Sequence, residues 1–177
     1  MASLPSISTL SSLDAEDRAK ALDTLFEPCL QLHTLSVSLL REKKFSTYED
    51  LINAVGKQLT ELYESNLESD SKRLDAILSA HPRLGEKKVD SEQSRKEQAQ
   101  LNQGGAEEAE KLAEMNRKYE AAFPGLRYVV FVNGRSRSVI MEDMQRRIDR
   151  ADLSQEKQDA VKAMCDIAFD RAKKLGG

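Results

Sequence analysis

Two histidines, His33 and His81, are the only side chains of the 177-residue sequence that ordinarily titrate near neutral pH. His81 stands where a helical pattern gives way to a loop, and Pro82 fixes the backbone after it. An imidazole held in such a turn could move protons as a general acid or base. The same position also fits a histidine that only complements the dipole at a helix C-terminus. His33 lies among leucines of another helical pattern, and we expect it to be structural.

A second group of polar residues follows His81 closely. Spacings of three and four place Ser94, Glu97 and Gln98 on one face of a predicted helix. This face would offer a hydroxyl, a carboxylate and an amide to a small polar ligand. A glutamate within hydrogen-bond reach of His81 would also orient the imidazole and raise its pKa. The alternative is an ordinary solvated face, in a chain of which 32% is charged.

Arg171 interrupts the apolar stripe of the last predicted helix. The other members of this stripe are Ala160, Met164, Ile167 and Leu175. An arginine in such a stripe either extends to solvent or reaches into a pocket. In a pocket, its planar guanidinium would match a carboxylate well.

The composition excludes several kinds of site. A net charge of −3 with both signs mixed along the chain argues against a nucleic-acid-binding surface. Two cysteines, Cys29 and Cys165, cannot build a disulfide framework or a four-thiolate zinc site. Two histidines leave no room for a His-rich metal centre, and no Gly-rich phosphate loop is present. The composition therefore argues against a metal site of these kinds.

The sequence also bears on location. Its longest apolar run, residues 128–132, is far too short to span a bilayer, so we expect no membrane association. The first residues lack the pattern of a signal peptide, and the last three are not a peroxisomal signal. We predict a cytoplasmic protein, although a peroxisomal location stays possible.

Helical periodicity, divided by only eight glycines and four prolines, runs through most of the chain. Predicted helix starts are Asp14, Thr47, Ser91, Ser138 and Ser154. The helix from Ser91 is predicted to continue to Gly104-Gly105. Residues 126–132 form one β-like run before an Asn133-Gly134 turn, and without a partner nearby we predict a single extended segment among helices. The prediction is one all-α domain of seven to eight helices over residues 1–177, with 1–13 as an N-terminal extension.

The order of the motifs along the chain is more specific than any one of them. The succession is His81-Pro82-x-Leu84-Gly85, Ser94-x-x-Glu97-Gln98, Met115-Asn116-x-x-Tyr119, Phe123 before the 128–130 run, and Ile167-x-x-x-Arg171. It resembles the 2-oxo-4-hydroxy-4-carboxy-5-ureidoimidazoline (OHCU) decarboxylase family from about residue 14 onward, and Phe26-Glu27 is a further similarity. The departures are Pro28-Cys29-Leu30 in place of an aromatic landmark, an extra residue in 123–128, and a short loop between His81 and Ser94.

This resemblance implies an all-α homodimer that acts on a small molecule without cofactor or metal. The reaction would be the decarboxylation of OHCU to (S)-allantoin in urate degradation. The catalytic residues of the family fall on His81, Glu97 and Arg171. Its substrate contacts fall on Pro82, Ser94, Gln98, Val129, Val130, Phe131, Val132 and Asn133.

Two other functions fit some of these residues. In a non-enzymatic helical interaction module, Glu97 and Arg171 would be surface charges and His81 would only end a helix. A hydrolase of a related ureido compound would use similar polar contacts but would consume water and release no carbon dioxide. The decarboxylase prediction requires His81, Glu97 and Arg171 to converge on one cleft.

Overall fold

The computed structural model describes residues 3–86, 89, 91–99 and 101–176. These residues form eight α-helices and no strand, which confirms the predicted all-α fold. The helices are α1 (Ala15–Leu25), α2 (Leu30–Glu42), α3 (Tyr48–Glu64), α4 (Glu68–Leu78), α5 (Glu92–Gln98), α6 (Ala106–Ala122), α7 (Arg137–Arg150) and α8 (Leu153–Lys174). Single 3-10 turns cover Leu10–Ser12 and Leu101–Gln103. No helix within the described ranges is long and apolar enough to cross a membrane.

Three predicted helix starts are confirmed by side-chain caps. Asp14 accepts from the N–H of Asp17 at 2.8 Å and opens α1. Thr47 opens α3 in the same way, and Ser91 opens α5. Each cap satisfies a backbone donor that the first turn leaves free.

The predicted starts of the last two helices are wrong by two residues. Ser136, not Ser138, caps α7, and the two hydroxyls lie 3.1 Å apart. Asp152, not Ser154, caps α8 by accepting from the N–H of Gln155 at 3.0 Å. In both cases two residues able to cap the helix lie within three positions of each other. At α8 the helix dipole also favours the carboxylate of Asp152 over the hydroxyl of Ser154.

The single helix predicted from Ser91 to Gly104 is also wrong. Helix α5 ends at Gln98, the turn Leu101–Gln103 follows, and Gly105 then caps α6 in an extended conformation. Since α5 has only seven residues, its stability depends on tertiary contacts rather than on helix propensity.

The core is built around the contact between α3 and α8. Helix α3 turns an apolar face inward, and α1, α2 and α4 pack around the pair, while α6 packs on α7. A Cβ added at Gly56 of α3 would lie 2.9 Å from the Sγ of Cys165 on α8, so the two backbones approach closely there. This packing fixes α8 with Arg171 facing the interior.

The residues predicted as an N-terminal extension pack on this core. Leu10 is buried, and the Tyr48 hydroxyl donates to the carbonyl of Pro5 at 2.7 Å. The segment therefore covers the start of α3. Its boundary at residue 13 remains a prediction.

Residues 126–132 run between helices without forming helix or strand, as predicted for a segment without a partner strand. Arg147 donates to the carbonyl of Val129 at 3.1 Å, and Arg135 donates to that of Val132 at 3.2 Å. The turn that follows has positive φ at Asn133 (48°) and Gly134 (71°). Arginine side chains thus replace a neighbouring strand as partners of this backbone.

Candidate active site

A cavity of about 250 Å³ opens where α4 ends, α5 begins and the C-terminal half of α8 passes the 128–134 segment. Its size suits a small polar molecule. All the site residues predicted from the sequence line it except Arg171. The lining consists of His81, Pro82, Leu84, Ser94, Lys96, Glu97, Gln98, Tyr128, Val129, Val130, Phe131, Val132, Asn133, Gly134, Ile167, Asp170 and Lys174.

His81 lies three residues beyond the end of α4 and is only 5% exposed. Its Nε2 has no hydrogen-bond partner among the described residues. Burial, and after it the positive charge of Arg171, lowers the pKa of His81 to about 3. The imidazole is therefore neutral at physiological pH and able to accept a proton. It does not serve as a surface histidine at a helix end.

Helix α5 turns its polar face to the cavity, as the spacing predicted. Ser94 and Gln98 are buried, which argues against the alternative of a solvated face. The Oε1 of Gln98 accepts from the N–H of Gly85 at 2.9 Å, which ties α5 to the turn after His81. The Nε2 of Gln98 makes no bond to the described residues and is free to donate to a ligand.

Arg171 does not extend to solvent, since its side chain is 2% exposed. Its Nε donates to Oε1 of Glu97 at 2.7 Å and its Nη2 to Oε2 at 3.0 Å, a bidentate pair. Nη2 also donates to Glu27 at 2.8 Å and to the Ser94 hydroxyl at 3.1 Å, and that hydroxyl donates to Glu27. Burial lowers the pKa of Arg171, but the bonds to Glu97 and Glu27 outweigh it and raise the pKa.

This cluster changes the expected relation of the three residues. The guanidinium stands behind the cavity wall, and its third nitrogen, Nη1, faces the carbonyls of Thr24 and Leu25. Both oxygens of Glu97 are taken by Arg171, and the described contacts include no bond from Glu97 to His81. The structure thus brings His81 and Glu97 to one cavity and places Arg171 behind Glu97.

The comparison with known proteins identifies the family of the chain. A family model for OHCU decarboxylase matches residues 11–173. The chain belongs to the OHCU decarboxylase family. This is a family of carboxy-lyases with a role in urate degradation, so the chain is an enzyme of that class rather than an interaction module. No curated protein sequence matches the chain at a significant level.

Three charged residues at the cavity of this OHCU decarboxylase family member had no predicted role. Lys96 of α5 and Lys174 of α8 stand at the cavity, and Asp170 pairs with Lys174 at 2.6 Å. A signal for two of them was present in the sequence. Residues 170 and 174 follow Ile167 and Arg171 at helical spacing, so they share a face with the predicted catalytic arginine.

Glu27 is the other residue whose role the sequence did not indicate. It is buried, and it joins Ser94 to Arg171 although it does not line the cavity. Two signals pointed to it: the Phe26-Glu27 similarity to the family, and a carboxylate between Phe26 and Pro28 in an otherwise apolar stretch. Within the described part of the chain, no group of three or more His, Cys, Asp or Glu side chains is arranged to hold a metal ion.

Proposed function

We propose that this protein converts OHCU to (S)-allantoin and carbon dioxide. The observation that carries the proposal is the free Nε2 of neutral, buried His81 in the wall of a cavity of small-molecule size. Membership of the OHCU decarboxylase family supports the same substrate.

The substrate supplies its own electron sink. Its carboxylate stands on the hydroxyl-bearing carbon next to a C=N bond. When the bond to the carboxylate breaks, the electron pair forms a C=C bond and the C=N pair moves to nitrogen, which takes a proton. The enol then loses its hydroxyl proton and gains a proton on the neighbouring carbon, giving the ketone of allantoin.

His81 is the group proposed to handle the hydroxyl proton. A neutral imidazole can accept it, whereas a protonated one cannot, and burial keeps His81 neutral at physiological pH. Because the cavity holds the planar enol in one orientation, the new C–H bond forms on one face only. That accounts for a single enantiomer.

Glu97 and Arg171 complete the proposed catalytic set in different ways. Glu97 lines the cavity, and each of its oxygens, which accepts one bond from Arg171, would accept a second from polar hydrogens of the substrate beside His81. The resemblance implies a catalytic arginine at position 171, but its guanidinium donates to protein oxygens. We therefore assign Arg171 the positioning of Glu97 rather than direct contact with the substrate.

The remaining cavity wall would recognise the ring and the ureido group. The Nε2 of Gln98 can donate to a carbonyl, and the Ser94 hydroxyl lies on the same face. Pro82 shapes the turn beside His81, and the backbone of residues 129–133 offers amide groups to the ligand. Since Lys96 and Lys174 stand at the cavity, they would attract the anionic substrate.

The state of the protein is part of the proposal. We propose that the protein is a cytoplasmic homodimer that needs neither cofactor nor metal. Each chain is proposed to form one domain over residues 1–177. The dimer is supported by the family resemblance, and light scattering of the purified chain tests it. Activity that is unchanged after chelation and gel filtration is expected, and its loss would contradict the absence of a metal.

The proposed function is tested by making the unstable substrate from urate with the two preceding enzymes of the pathway. Wild type should release one carbon dioxide per allantoin formed, at a rate far above the spontaneous one. His81→Asn should abolish this acceleration, and His33→Asn serves as the matched control that retains it. A product formed without carbon dioxide would instead favour the hydrolase alternative.

A further inference from the structure

Glu27 is a buried acid with a strained backbone. It comes directly after the C-cap of α1 with φ of 123°, in the region that favours glycine. Its side chain is only 4% exposed. Strained residues of this kind persist where the surrounding contacts hold them, and they cluster at functional sites.

The contacts of Glu27 lead to the cavity by two routes. Its carboxylate accepts directly from the hydroxyl of Ser94, which lines the cavity. It also accepts from Nη2 of Arg171 at 2.8 Å, and Arg171 donates to both oxygens of Glu97. Both routes end on α5, on the face that meets His81 across the site.

Helix α5 depends on such anchors. It has seven residues, too few to be stable alone. Glu97 accepts from Nε and Nη2 of Arg171, and the carbonyls of Thr24 and Leu25 face Nη1. Glu27 adds a second carboxylate at Nη2, so Arg171 is held between an acid that follows α1 and an acid of α5.

We propose that Glu27 is a positioning residue for the decarboxylation. It holds Ser94 directly and Glu97 through Arg171, and so sets the catalytic face of α5 against His81. The role rests on the proposed function of the site. Glu27 itself does not line the cavity.

Two variants test this role. Glu27→Gln removes the charge with little change of shape, and Glu27→Gly removes the carboxylate while relieving the backbone strain. We expect kcat to fall roughly 10- to 100-fold in both, as for a small misplacement of a catalytic group, with KM within about threefold of wild type. The Tm should fall less in Glu27→Gly than in Glu27→Gln, because the relieved strain offsets part of the lost bonds.

Ala151 offers a matched control, since it also has positive φ (51°) but lies at the end of α7, away from the cavity. Ala151→Gly should relieve strain and leave kcat unchanged. A merely structural Glu27 would lower the Tm but leave kcat of the folded protein intact. That pattern overturns the positioning role.

A second readout does not depend on activity. The Nε–H signal of Arg171 in a ¹⁵N NMR spectrum, assigned by its loss in Arg171→Lys, should exchange slowly with water in wild type and faster in Glu27→Gln. Equal exchange in both proteins contradicts the inference. If wild type does not accelerate allantoin formation above the spontaneous rate, the proposed function fails, while the exchange rates still decide whether Glu27 fixes Arg171.

Discussion

The protonation state of His81 determines part of the pH dependence of stability. In the folded protein, burial and then the charge of Arg171 lower the pKa of His81 to about 3. In the unfolded chain, a histidine titrates near 6.5. Between these values only the unfolded state binds the proton, so stability rises with pH. The contribution is complete above pH 6.5 and is lost as the pH falls from there towards 3.

The loss is about 1.4 kcal/mol per pH unit, and thus about 2 kcal/mol between pH 6.5 and pH 5. Urea denaturation at pH 7.5 and pH 5 measures it as a drop in the free energy of unfolding. In His81→Asn this drop should be about 2 kcal/mol smaller than in wild type, because all other titrating groups are shared. His33→Asn is the control for loss of a partly exposed histidine. Equal drops in wild type and His81→Asn would refute the reasoning.

Three further changes have expected outcomes. Arg171→Ala leaves two carboxylates without their cation, so urea denaturation should show a loss of about 3–5 kcal/mol; a loss below about 1 kcal/mol contradicts the buried ion pairs. Gly56→Ala should raise the free energy of unfolding by about 1 kcal/mol in a Cys165→Ala background but not in wild type, because a Cβ at Gly56 lies 2.9 Å from Sγ of Cys165. Urea denaturation showing equal effects in the two backgrounds would speak against this contact. Lys96→Gln should lower kcat/KM and weaken its dependence on salt, and an unchanged salt dependence measured by steady-state kinetics argues against attraction of the anionic substrate.

Local features of the fold could be predicted from the sequence. Asp14 and Thr47 cap their helices as expected, since an acid follows each three positions later, as in a capping box. Ser136 and Ser138 are two residues apart, and their spacing alone does not decide which one caps α7. The end of α5 was missed because it depends on contacts with other parts of the chain.

The cavity wall could likewise be predicted, because its motifs follow one another in an order specific to the OHCU decarboxylase family. The cluster behind the wall could not. Arg171 and Glu27 are 144 positions apart, so no helical spacing connects them. The apolar stripe of α8 allowed Arg171 either to extend to solvent or to reach into a pocket. The observed outcome, burial between two carboxylates, depends on the packing of α1, α5 and α8.

The most direct test of the account is the chirality of the product. Circular dichroism follows allantoin while the substrate is generated in situ from urate. With wild-type protein, we predict rapid growth of the (S)-allantoin signal, since the enol is protonated on one face within the cavity beside His81. Racemic allantoin formed at the spontaneous rate would contradict the central claim.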